Sequence, residues 1–344
     1  MVSRNTEAFI VYFSQREALT NYLQIGTAAM ALLLRNVAAE NGPDLLGAFV
    51  DACAVKHWAK GKRFPNQIEV VQNGIAEVAH HGVIRHAAAF DNFTRNIVIE
   101  CARFSKSGRQ SLDKLGHSHS LVQKNPQGRW VVCPCCHEKA DTIGNLATRL
   151  ETMQEWLGWR PSPKLADVFP MFHLMRRIRN RIAHYDSMVG ADLEDYSESK
   201  DVQDSIANFR KHYAKRDVPA LPKFRRGNRI SLAAVNSILF GSMLYEIAGE
   251  VNNHACGMIN EHEFIDMAFF YSSIVEEHPY RTVRHRTAEA RINYFLDRYL
   301  RRATRTVTER DIIDRLQSQI ISDSSAEKVT LWSIAVQRHR ELLT

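Results

Sequence analysis

The sequence predicts an all-α protein, and three observations carry that prediction. Apolar residues recur every three or four positions along most of the 344-residue chain, the period of an amphipathic helix. A β-like pattern is confined to one short pair of segments, 121–124 and 129–133. The long stretch 7–39 runs without a Gly-Pro break of the kind that stops helices, and 67–104 reads as a second long helical stretch.

Taken in order, the first helix is expected over Glu7 to Ala39, stopped by Asn41-Gly42-Pro43. A shorter one follows over Asp44 to Trp58, opened by Pro43-Asp44, and Lys60 to Pro65 is a basic connector. Gln67 to Phe104 is a second long helix with a break expected at Gly82. Its second half sets Phe90, Phe93, Ile97, Cys101 and Phe104 on one face. Residues 105–140 are rich in Gly, His and Ser around a hairpin, with Asn125-Pro-Gln-Gly128 as its turn. Helices resume over Ile143 to Leu157 and over Val168 to Tyr185. In the latter, Val168, Met171, Met175, Ile178 and Ile182 form a stripe, and Pro170 sits near the start, where it is tolerated. After a linker over Asp217 to Ile230, Ser231 is the expected cap of a helix running to about Asn253, with Leu232, Val235, Leu239, Met243 and Ile247 on one face. Glu261 to Val275, part of the Arg-rich segment 281–305, Glu309 to Ile321 and Ala326 to Leu343 complete the helices.

Composition narrows the class. At 45% hydrophobic and 24% charged the chain is neither disordered nor fibrous. Lys+Arg number 45 against 38 Asp+Glu, a net charge of +7, and 32 of the 45 cations are Arg. Guanidinium forks match phosphate oxygens, so the excess points toward nucleic acid. Six Cys, two of them alone within helical patterns, do not form a secreted disulfide framework. Met1 to Phe13 mixes charged and apolar residues unlike a secretory signal, and the apolar run Ala28 to Leu34 is too short to span a bilayer. A cytoplasmic protein without membrane partners is expected. No P-loop, G-x-S-x-G, H-E-x-x-H or dinucleotide fingerprint occurs.

The densest constellation is Arg176-Arg-Ile-Arg-Asn-Arg-Ile-Ala-His-Tyr185, with Arg179, Asn180 and His184 at its centre. An Arg followed five positions later by His is expected about 1.4 times by chance in this composition, so spacing alone is no evidence. Context lifts it: Asn follows the Arg, a small residue precedes the His, and Ile178 and Ile182 point to a core. His is the side chain whose ordinary pKa suits acid–base work near neutrality, and Arg stabilises a crowded phosphate. On a helix, Asn180 and His184 share a face, whereas Arg179 and His184 do not. A continuous helix is therefore expected not to aim both at one phosphate. Either it unwinds at Ala183-His184, or a second subunit supplies the complementary pair.

Here the sequence resembles the HEPN superfamily, whose helical-bundle members carry Arg-polar-x3–5-His motifs. Arg179-Asn180-Arg181-Ile182-Ala183-His184 is similar to the versions in Abi-like abortive-infection proteins of bacterial defence. The resemblance covers about 66–255. It implies a metal-independent endoribonuclease of antiphage-defence or toxin–antitoxin type that leaves 2′,3′-cyclic phosphate ends and needs no catalytic cofactor. It also implies a homodimer with a composite cleft, and an antitoxin or regulatory RNA as further partner. Arg179 and His184 would be catalytic, with Asn180 in support. The expected organisation is an N-terminal helical region, 1–65; a HEPN-like bundle, 66–255, with the hairpin inserted at 106–140; and a basic C-terminal helical region, 256–344. Two other readings stand beside this one: a non-catalytic RNA-binding or antitoxin-like module, and a zinc-stapled protein-interaction domain.

The zinc reading rests on Cys133-Pro-Cys135-Cys136-His137, which contains one C-x2-C step. If Asn125 and Gly128 pair across the turn, His117 falls opposite Cys136 and His119 opposite Pro134. Cys133, Cys136, His117 and His119 then form a structural Zn²⁺ set, with Cys135 and His137 as alternatives. For RNA, the candidate contacts are Arg176, Arg177 and Arg181 beside the motif, Arg225 and Arg226 in the linker, and Arg284, Arg291, Arg298 and Arg302 in the C-terminal segment. Tyr294, Phe295 and Tyr299 are interleaved there as stacking surfaces.

Overall fold

The computed structural model describes residues 4–39, 44–53, 61–105, 122–124, 126, 130–132, 146–213, 219–274 and 288–300. These are mostly helical, as expected. In chain order the elements are α1 (Glu7–Ala39), α2 (Leu45–Ala52), α3 (Gln67–Phe104), the strands β1 (Val122–Lys124) and β2 (Trp130–Val132), α4 (Leu146–Trp156), α5 (Pro163–Ala166), α6 (Phe169–His184), α7 (Ala191–Glu198), α8 (Lys200–His212), α9 (Ala234–Met258), α10 (Glu261–Phe269) and α11 (Ala288–Tyr299). A π-helical turn, Phe270–Ile274, continues α10 where an ordinary helix was expected. None of the described helices is long and apolar enough to cross a membrane.

The chain divides into two compact units. One contains Met1–Tyr12, Asp91–Arg160 and Ala248–Thr344, the other Phe13–Phe90 and Pro161–Ile247. The boundaries expected near 65 and 255 do not separate them, because each unit is assembled from stretches distant in sequence.

In the second unit, α3 runs unbroken through Gly82, against expectation. A Cβ at Gly82 would lie 2.8 Å from Leu23 Cδ2 and 3.0 Å from Ser237 Cβ, so the glycine serves close helix packing and does not interrupt the helix. The Ser237 hydroxyl donates to the Ala79 carbonyl at 2.5 Å and fastens the same contact. Asp44 caps α2 as expected, accepting from the Gly47 and Phe64 amides at 2.7 Å. The described helix ends at Ala52, and 54–60 lie outside the described residues. Helix α9 starts at Ala234, beyond the expected cap Ser231. Asn236, in the first turn, reaches back: its Oδ1 accepts from the Ala233 amide at 3.0 Å while its amide group donates to the Ala220 carbonyl at 3.1 Å. Leu232 is buried outside the helix, and Val235, expected in the core, is 47% exposed.

In the first unit, Thr6 donates its amide and hydroxyl to Asn252 Oδ1 at 2.9 Å. Glu100 accepts from the Ala8 amide at 2.9 Å and the Tyr271 hydroxyl at 2.8 Å. Asp91 pairs with Arg95 at 2.7 Å and Arg149 at 2.6 Å. The strands pair antiparallel as Val122–Val132, Gln123–Val131 and Lys124–Trp130. This register is one residue away from the expected one. A two-residue Pro126-Gln127 loop would need a turn with positive φ at its first position, which proline cannot adopt. The alignment of the Zn²⁺ set started from the other register. Cys133, Cys135, Cys136, His117, His119 and His137 themselves lie outside the described residues.

Candidate active site

Helix α6 is set by its buried face. Met171, Phe172, Leu174, Met175 and Ile178 are fully buried, and the Met171 amide is held by Ser205 of α8 at 3.1 Å. Pro170 sits in the first turn, where its missing N–H costs nothing. Arg181 and His184 occupy the last turn, where the Arg181 cation complements the helix dipole. The helix ends with the Tyr185 and Ser187 amides both donating to the Arg181 carbonyl, at 3.0 and 3.1 Å. The longer of these bonds is a seven-to-one closure, one residue wider than the six-to-one Schellman closure normally made through glycine. Here Asp186 (φ 48°) and Ser187 (φ 59°) adopt the left-handed conformation instead. A short ribbon secures the segment. Met188 pairs with Arg229 as an antiparallel bridge, and the Ile230 amide donates to the Ser187 carbonyl at 2.7 Å. The linker carrying Arg225, Arg226 and Arg229 is thereby fastened directly after the motif.

On this helix end, Arg179 Nη1 donates to Asn180 Oδ1 at 3.1 Å and lies 3.5 Å from His184 Nε2. Asn180 and His184 are exposed, and Arg179 is half-buried. The helix does not unwind at Ala183-His184, yet Arg179 and His184 meet. Five residues rotate the backbone by about 140°, and the long arginine side chain spans that arc. The geometric reason for requiring a second subunit therefore falls away. What the site offers is a planar cation within reach of an imidazole nitrogen at a solvent-facing helix end, with the Asn180 amide oxygen also on the guanidinium.

The surrounding arginines are differently placed. Arg177 lies 3.5 Å from Asp192, and Arg181 makes a short ion pair with the same carboxylate. The Arg177 guanidinium covers the Tyr196 ring at 4.4 Å and that of Arg181 covers Tyr185 at 4.7 Å. Burial pushes the Tyr196 hydroxyl pKa above its ordinary value, opposed by Arg177. Arg225 is met by Glu198 at 3.1 Å and Glu194 at 3.4 Å, and Arg229 by Asp186 at 3.5 Å. Arg176 lies 3.3 Å from His173 Nδ1, and Arg226 is exposed. Among the described residues, no carboxylate pairs with Arg179.

The C-terminal track differs from expectation. Arg298 is turned inward, its side chain 15% exposed, 3.6 Å from the buried Glu7 and against the Tyr294 and Phe295 rings. Phe295 and Tyr299 are core residues and do not offer stacking surfaces. A buried carboxylate needs a counter-charge, and Arg298 supplies one. Arg284, Arg302 and the Arg291 side chain lie outside the described residues. Among the described residues, no group of three His, Cys, Asp or Glu could hold a metal ion.

Sequence reasoning missed Asp186, Asp192 and Tyr196. The acidic run Ala191-Asp-Leu-Glu-Asp-Tyr-Ser-Glu198, directly after a run of arginines, was the available signal. Comparison with protein families, curated proteins and solved structures finds no match to this chain.

Proposed function

We propose that this protein is a HEPN-type endoribonuclease that cleaves RNA without a metal ion. The observation that carries the reading is the convergence of Arg179 on His184, 3.5 Å apart, with Asn180 alongside, at an exposed helix end. In this reading the His184 imidazole takes the proton from a ribose 2′-OH. The oxygen attacks the adjacent phosphorus, the P–O5′ bond breaks, and a 2′,3′-cyclic phosphate is left. Arg179 donates to the non-bridging oxygens, whose charge is greatest in the five-coordinate transition state. Asn180 orients the guanidinium. The leaving 5′-oxygen needs a proton from a second acid. In the homodimer that the sequence resemblance implies, the second copy's motif supplies it. Defence or toxin–antitoxin use follows from the same resemblance.

The test is cleavage of a labelled single-stranded RNA in EDTA. Arg179→Ala and His184→Ala are each expected to lower the rate by about 10²-fold or more, with cyclic-phosphate ends on the wild-type product. Cleavage that survives both substitutions overturns the assignment. So does RNA binding by wild type with no turnover. Expression of wild type is expected to arrest bacterial growth where His184→Ala does not.

A further inference from the structure

We infer that Asp192 is a specificity-determining counter-charge: it engages Arg177 and Arg181 and so confines phosphate contact to the Arg179–Asn180–His184 face of α6. The inference rests on the ribonuclease reading and adds to it a residue that the motif does not contain.

Arg177 and Arg181 are one turn apart and share a face of the helix. One carboxylate serves both, and an aromatic ring lies under each guanidinium, Tyr196 under Arg177 and Tyr185 under Arg181. A guanidinium with a ring against its plane and a carboxylate at its edge has spent the fork with which it would grip a phosphate. The arrangement depends on Gly190. A Cβ there would overlap the Arg181 guanidinium, so the missing side chain is what admits Arg181 to Asp192. Gly190 has φ −93° and ψ 168°, a conformation open to any residue, so close approach and not backbone freedom accounts for the glycine. The next turn of α7 repeats the device, with Glu194 and Glu198 on Arg225.

The ion pairs are half-exposed, and surface pairs of this kind contribute little to stability. Their electrostatic effect on a polyanion is larger. A strand reaching for Arg177 or Arg181 must bring its phosphate beside the Asp192 carboxylate. No carboxylate stands beside Arg179 among the described residues, so it presents no such obstacle. Two cations of a run that would bind any phosphate backbone are thereby withdrawn, while Arg179 beside the histidine still faces the strand.

The experiment uses the full chain carrying His184→Ala, which prevents turnover, and a short fluorescent single-stranded RNA followed by anisotropy over a salt titration. Asp192→Asn is expected to tighten binding about tenfold at low salt. It should also steepen the slope of log Kd against log salt by about 1.4, two phosphate contacts at about 0.7 each. Gly190→Ala crowds both the Arg181 guanidinium and Asp192 Oδ1 without changing charge and is expected to steepen the slope in the same direction. An unchanged slope in both variants overturns the inference, whether or not melting temperature shifts, and leaves the ribonuclease reading to its own cleavage test. Absence of RNA binding in all three proteins overturns the two together.

Discussion

Arg179 and His184 show how side-chain length alters a helical-wheel argument. Counting positions separates them, while the guanidinium, carried on three methylenes, closes the gap to 3.5 Å. A lysine at 179 keeps the charge and loses the planar fork, so Arg179→Lys is expected to restore little of the cleavage lost in Arg179→Ala. A second histidine makes a separate prediction. His86 is fully buried, and neither ring nitrogen has a hydrogen-bond partner. Burial lowers its pKa from 6.5 to about 4, aided by Arg16. Between those values the unfolded chain binds the proton and the native one does not, so stability is greatest above pH 6.5 and falls as pH drops toward 4. The loss is about 3 kcal/mol at 1.36 kcal/mol per pH unit. Urea unfolding across that range should show the slope in wild type and its removal in His86→Leu.

Among the elements, the helices most legible in the sequence are those whose burial repeats with their own period. The bounds of α1 and α3 agree with the spacing of their apolar residues, and the α6 stripe is buried from Val168 to Ile178, with Ile182 half-buried at its end. Features governed by a distant partner were not legible. Gly82 reads locally as a break, and only the approach of Leu23 and Ser237 explains it. Ser231 reads as a cap, yet the helix starts at Ala234, where Asn236 reaches back to Ala233 and Ala220. Arg298 reads as a surface cation until Glu7 is seen beneath it. The motif residues were legible from their string, whereas Asp192 was not, since its role depends on α7 folding back against α6. Gly82 yields a test in which two effects oppose. Alanine improves intrinsic helix propensity by about 1 kcal/mol, but overpacking costs about 1–3 kcal/mol. Ser237 is tied to Ala79 and cannot yield, so Gly82→Ala is expected to be net destabilising in thermal melting.

For the molecule as a whole, the 45 Lys and Arg are less available than their number suggests. Arg177, Arg181, Arg225, Arg229 and Arg298 are all matched by carboxylates. The proposed homodimer now rests on the sequence resemblance alone, since one helix suffices to bring Arg179 to His184. It predicts a particle of twice the 39.3 kDa chain mass in light scattering, with specific activity falling as dilution dissociates it. The end of α6 has its own consequence. Glycine at a helix stop is a swivel, free to sample several backbone basins. Asp186 and Ser187 carry Cβ atoms and have one narrow left-handed basin each, and the ribbon to 229–230 holds them there. The imidazole is thus mounted on a bracket, not a pivot. Adjustment to a bound strand is left to the side chains of Arg179, Asn180 and His184, while the main chain beneath them stays still.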